Sequence, residues 1–173
     1  MTRPYTVTAG HGGSDPGAVA DGMTERDLMT ELRDIVAHKL RAAGHTVRTD
    51  GGWRKNLPLP YALTLVAGSA AAIELHTNAH SNQMASGVEV VSLPAQRLLS
   101  QRLARGIADV LEIPLRGAAG WIDQTQTARG RLGYVRAGGL VVEVFFLSNP
   151  TDRARYIDRK WMVASAIAKA LAE

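Results

Sequence analysis

Four side chains in this sequence of 173 residues have the types that hydrolytic chemistry needs: His11, Glu25, His76 and Glu143. His11 stands in TAGHGGSDPGA, directly after a short apolar run at 5–9 that reads as a strand. A glycine-rich turn in that place serves as a backbone feature, a phosphate cradle or a ligand with cleared space around it. No G-K-[ST] follows to make it a nucleotide loop. Glu25 falls in the first turn of a helix read over 24–43, where the helix dipole favours a carboxylate. His76 closes the apolar strand AAIELHT, 71–77, and Glu143 is the single acid in LVVEVFFL, 140–147, which reads as a central buried strand. An acid there is costly unless paired or hydrogen-bonded, which makes Glu143 a functional candidate. Zinc catalysis asks for three protein ligands of the His/His/Glu kind, an open position for water and a further carboxylate to move protons, and these four residues could supply that set.

The elements that must position them alternate between strand and helix. Leu28, Leu32, Ile35, Val36 and Leu40 form one stripe of the helix at 24–43, with Thr24 as N-cap and Gly44 as stop. A strand at 45–49, a helix at 59–67 and a strand at 87–93 follow. Leu99, Leu103, Ile107 and Val110 mark an amphipathic helix at 95–111, residues 117–130 read as a long loop, and a last helix spans 158–171. The pattern predicts an α/β fold: one domain over 1–173 with a twisted, mostly parallel central sheet of about six strands and helices on both faces. In such sheets ligands gather at the carboxyl ends of strands.

Composition narrows the chemistry. With no cysteine, disulfides, thiolate nucleophiles and Cys-type zinc sites are excluded, so any metal is held by nitrogen and oxygen. The net charge of +4 comes from basic residues scattered over helix faces, so nucleic-acid binding is not expected, and no segment approaches the 18 or more apolar residues of a membrane span, so no membrane insertion is expected. The N-terminus shows no apolar core of a secretory signal, and a monomer is expected.

The segments GHGGSDPGA, Glu25 opening a helix, LHTNA (75–79), SGVEVV (86–91) and VEVFFLSNPTD (142–152), in this order, resemble the zinc-dependent N-acetylmuramoyl-L-alanine amidases over nearly the whole chain. The resemblance implies one zinc per chain, bound by His11, Glu25 and His76, with Glu143 as general base and acid. It also implies peptidoglycan as substrate, cleaved between N-acetylmuramic acid and L-alanine; from the pattern of the chain itself, no separate wall-binding domain is expected. With no secretory signal and no wall-binding repeat in view, the expected setting is a phage lysis enzyme, made in the host cytoplasm and acting on the cell wall. A zinc peptidase of the stem peptide and an inert wall-binding module are the alternatives. Asn78, His80 and Trp121 are weaker candidates for touching substrate, while His38 and His45 read as structural and Asn149 as a turn or helix cap. Three positions depart from the family pattern: Thr8 replaces an acid expected to orient His11, Phe145 replaces a glycine, and Glu74 replaces a small residue. Glu74 lies on the same side of its strand as His76, as a supporting partner or a competing ligand.

Overall fold

The computed structural model describes residues 2–127, 130 and 132–173. In chain order the elements are β1 (Tyr5–Ala9), β2 (Val19–Ala20), β3 (Met23–Thr24), α1 (Glu25–Ala42), β4 (Val47–Arg48), α2 (Leu59–Val66) and β5 (Ala71–Asn78). After these come β6 (Glu89–Ser92), α3 (Arg97–Leu111), β7 (Trp121–Asp123), α4 (Gly133–Arg136), β8 (Leu140–Phe146) and α5 (Pro150–Ala172). Among the described residues six strands form one sheet in the order β4-β1-β5-β8-β6-β7. The first four are mutually parallel, β6 is antiparallel to β8, and β7 is parallel to β6. The α/β architecture with a mostly parallel sheet is therefore as the sequence predicts.

The two faces of the sheet are unlike. Ile73, Leu75, Val90, Leu140 and Val142 share the main core with Met29 and Leu32 of α1, Leu103 and Ile107 of α3, and Val163 and Ile167 of α5. Full burial of each such side chain contributes roughly 1.5–3 kcal/mol. On the opposite face Ala72, Val91 and Val141 are covered by Ala62 and Val66 of α2 and by Tyr134 and Val135 of α4. These two helices are short and leave a cleft of about 450 Å³, lined by Glu74, His76, Glu89 and Glu143. The two-residue period of a strand thus sends aliphatic groups to the helices and titratable groups to the cleft.

Local chemistry explains where the elements depart from expectation. The last helix starts at Pro150, not at 158, because Asn149 accepts hydrogen bonds from the backbone N–H of Thr151 and Asp152 and proline occupies the first helical position. The strand expected at 45–49 shortens to Val47–Arg48. The loop expected over 117–130 contains β7, because Trp121 and Ile122 pair with Val90 and Val91; Ala128 and Arg129 of that loop lie outside the described residues. Val19 to Thr24 forms a hairpin whose turn residues, Asp21 and Gly22, have φ of 52° and 73°. Asp-Gly is the dipeptide that such a turn favours, and it hands the chain directly to Glu25. Phe145 lies in the main core, fully buried and stacked on Tyr156 at 4.5 Å. A register shift in the β5–β8 pairing just beyond Glu143 accompanies this placement, so the aromatic ring does not enter the cleft.

One buried network ties α1 to the first loop. Arg33 is fully buried, with its guanidinium donating to Asp34, Asp50 and the carbonyls of Gly52 and Lys55. Asp50 also accepts from the Ala9 N–H at 3.2 Å. The loop so anchored presents Asn56, whose amide donates to the carbonyls of Ala9, Gly10 and His11. A residue far from the sheet in sequence therefore fixes the backbone that carries His11.

Candidate active site

Three of the predicted residues converge although 65 positions separate the first from the last. His11, Glu25 and His76 each offer a ligand atom, and these atoms lie within 4.8 Å of one another. Glu25 sits between the imidazoles: Oε1 is 3.0 Å from His76 Nδ1 and Oε2 is 3.3 Å from His11 Nε2. The carboxylate is also held from behind by the N–H groups of Thr77 and Ala18, both at 2.9 Å. Thr24 caps α1 by accepting from the Asp27 N–H, which starts the helix at Glu25 and aims its N-terminal dipole at the site.

Each imidazole is held by a second carboxylate through its other nitrogen. His11 Nδ1 lies 2.8 Å from Asp15, and His76 Nε2 lies 3.1 Å from Glu74. The first of these partners escapes a reading of SDPG as a plain turn, although its spacing of four from His11 is visible in the sequence. Thr8, where an orienting acid is expected, instead donates to Ile73 O and contacts the Tyr134 hydroxyl. His11 itself has φ of 59°, a left-handed conformation that a non-glycine residue holds only when its surroundings impose it. The three Asn56 bonds to that loop supply the restraint. Glycines clear the space: a Cβ at Gly10 would meet His76 Cε1 at 2.0 Å, and one at Gly17 would meet Glu25 Oε2 at 2.6 Å.

The electrostatics follow from this crowding. Burial opposes ionisation of Glu25, but His11 and His76 outweigh it and hold the carboxyl well below the usual range. Burial likewise opposes a charged His76, and Glu25, Glu74 and Glu143 overcome it, so its pKa is pushed up to about 10. Glu25 raises His11 in the same sense, assisted by Asp15 and opposed by burial and His76. Positive charge is strongly favoured here. A divalent cation would satisfy the same carboxylates and use the imidazole lone pairs as well. His11 Nε2 supports that fit, since it is buried and makes no hydrogen bond among the described residues. Nitrogen and oxygen donors in a His/Glu/His set match the ligand preference of zinc.

From β8, Glu143 is the direct cross-strand neighbour of His76 on β5 and of Glu89 on β6, and its side chain lines the cleft. Asn78 lines the same cleft and donates to Glu89 at 3.2 Å. The other two weaker candidates sit elsewhere. His80 is exposed, accepting from the Asn82 N–H through Nδ1. Trp121 donates to Ser92 at 3.0 Å and lies under Arg97, while its neighbour Ile122 faces the cleft. The acids at 74, 89 and 143 open onto a face of the sheet, so only the His11 end of the site follows the strand-end expectation. Glu89 and Arg116 are cleft residues that pattern reading missed. The first looks like the polar half of an alternating strand, and the second like a solitary loop arginine.

The model for the family described as N-acetylmuramoyl-L-alanine amidase matches residues 6–173. A Neisseria meningitidis structure described as a "putative N-acetylmuramoyl-L-alanine amidase" is 42% identical to this chain, covering 98% of it and 94% of its own length with a TM-score of 0.91. The catalytic domain of CwlV, an N-acetylmuramoyl-L-alanine amidase from Bacillus (Paenibacillus) polymyxa var. colistinus, shares the fold at 19% identity, with 98% and 96% coverage and a TM-score of 0.83. A shorter match, 43% identical over 51 residues, joins 29% of this chain to 10% of the Staphylococcus aureus protein named "Probable autolysin PH". The family match across both ends of the sheet, on a fold shared with solved amidases, shows that this chain belongs to the N-acetylmuramoyl-L-alanine amidase family.

Proposed function

We propose that the chain hydrolyses the amide between the lactyl group of N-acetylmuramic acid and the L-alanine of the stem peptide in peptidoglycan. The observation that carries this reading is the His11, Glu25 and His76 cluster with Glu143 one strand away on the same cleft wall. In this reading the three cluster residues hold one zinc ion. When bound, zinc would lower the pKa of a water toward about 7 and polarise the scissile carbonyl. Glu143 accepts the proton of the attacking water through its carboxylate oxygen and then returns a proton to the departing alanine nitrogen, the two halves of general base and general acid work. The short helices α2 and α4 leave room for an extended peptide over the sheet, and Asn78 lies on that path.

Digestion of purified sacculi tests the bond cleaved. Mass spectrometry of the products should find intact stem peptides with free amino termini on L-alanine, and a chelator should stop their release. New termini inside the stem peptide, with muramoyl-alanine left whole, would instead mark a zinc peptidase.

Glu74 acts on the metal through His76. A metal-ligating histidine commonly gives its other N–H to a carboxylate, which fixes tautomer and ring orientation, and loss of such a partner weakens metal affinity by about 10–100-fold. Glu74→Gln is therefore expected to lower zinc affinity by that factor in a competition with a fluorescent chelator. Unchanged affinity together with faster turnover would mark Glu74 as a competing ligand instead.

A further inference from the structure

The cleft is acidic, and among the described residues its lining holds one lysine or arginine, Arg116. Its Nε donates to Glu89 Oε2 at 2.7 Å, and its guanidinium lies 4.9 Å from the centre of the Phe146 ring. The aliphatic stem is packed against Gly87, where a Cβ would meet Arg116 Cγ at 2.8 Å. Glu89 is in turn fixed by Asn78, which donates to Oε1. These contacts hold the guanidinium by one edge, and Nη1 and Nη2 make no hydrogen bond among the described residues. With the side chain 43% exposed, that free pair of donors has the planar geometry that receives a carboxylate in two parallel bonds.

Distance favours one occupant. Glu89 and Glu143 are direct partners on adjacent strands, so their Cβ atoms lie about 5 Å apart, and Arg116 is one hydrogen bond beyond Glu89. An extended peptide advances about 3.5 Å per residue. If Glu143 acts at the alanine nitrogen, the following residue reaches the neighbourhood of Arg116. A carboxyl group on that following residue would enter either free, as an anion, or masked as a neutral amide. A free carboxylate entering a cleft lined by Glu74 and Glu89 meets repulsion unless a cation receives it.

We infer that Arg116, supported by Glu89 and Phe146, is a carboxylate subsite selecting stem peptides whose residue after L-alanine carries a free α-carboxylate. The inference rests on the amidase reading above. Its test compares two synthetic muramoyl peptides, identical except for a free or amidated α-carboxyl at that residue, on the zinc-loaded full chain. The parent is expected to favour the free acid by about tenfold or more in kcat/KM, mainly through KM, as a charge-assisted contact of that kind supplies. Arg116→Gln should erase the preference, and Arg116→Lys should keep part of it. Arg116→Gln removes the cation paired with Glu89, so Glu89→Gln/Arg116→Gln serves as the second variant and should also show no preference. Equal rates on both peptides in the parent, or a preference that survives in the double variant, overturns the subsite. Binding of both peptides to Glu143→Gln gives the same comparison without turnover: tighter binding of the acid supports the subsite and equal binding refutes it. Failure to cleave either peptide would count against the amidase reading and leave the subsite to the binding result.

Discussion

Glu143→Gln is expected to lower kcat for release of stem peptides by about 10²–10⁴-fold, the usual contribution of a positioned proton-transfer group. The amide is isosteric with the carboxyl but neither accepts the proton of the attacking water nor protonates a departing amine. Its position makes the change clean: Glu143 is mostly buried on β8, whose seven residues are all buried, and it is not one of the three clustered candidate ligands. Zinc content should therefore stay at that of the parent, and KM should change little. The fold should survive the change, because the amide keeps the size and shape of the carboxyl in its buried place. Elemental analysis, a denaturation curve and muropeptide release on the same preparation check all three. A variant that lyses walls as fast as the parent would remove Glu143 from the mechanism.

The candidate ligand trio was legible because each member breaks a local rule at the end of an element. A histidine interrupts a glycine turn, an acid opens a helix, and another histidine ends an apolar strand. Glu143 was legible for a different reason, the cost of placing a charge in a run of seven apolar neighbours. Their supports were not legible, since each looks ordinary where it stands. Asp15 reads as a turn former, Asn56 as a loop amide and Arg33 as the polar side of an amphipathic helix. The structure turns all three inward: Asp15 onto His11, Asn56 onto the carbonyls around it, and Arg33 onto Asp50. Such roles depend on tertiary placement across separations of up to 47 residues, which no local period encodes. The Asp21-Gly22 hairpin is the exception, since its dipeptide signature was present and went unused. Trp121 shows the converse. An aromatic in a glycine-rich stretch suggests a stacking platform, yet strand pairing with Val90 turns the indole toward Ser92.

Removing the metal should abolish hydrolysis, and restoring zinc should recover it, whereas His76→Ala should lose activity beyond recovery by zinc. The same experiment carries a pH dependence whose sign is fixed by His76. In the metal-free protein its pKa is pushed up to about 10, against about 6.5 in an unfolded chain. That charged imidazole stabilises the fold fully below about pH 6.5, and the contribution is lost as pH rises through about 10. Glu25, held below its ordinary range, contributes above about pH 4.5 and loses its effect only in acid. Between those limits the protonated imidazole takes part of the place that a metal fills. Zinc must displace that proton to bind, so its affinity should rise with pH across the neutral and mildly alkaline range. Chelation should accordingly lower Tm by a small amount near pH 6.5 and by progressively more toward pH 9.5, because the metal-free state alone loses the His76 charge. Parallel melting curves with and without chelator measure this directly. A chelator effect that shrinks as pH rises would mean that His76 does not exchange a proton for the metal, and the ligand assignment would fail with it.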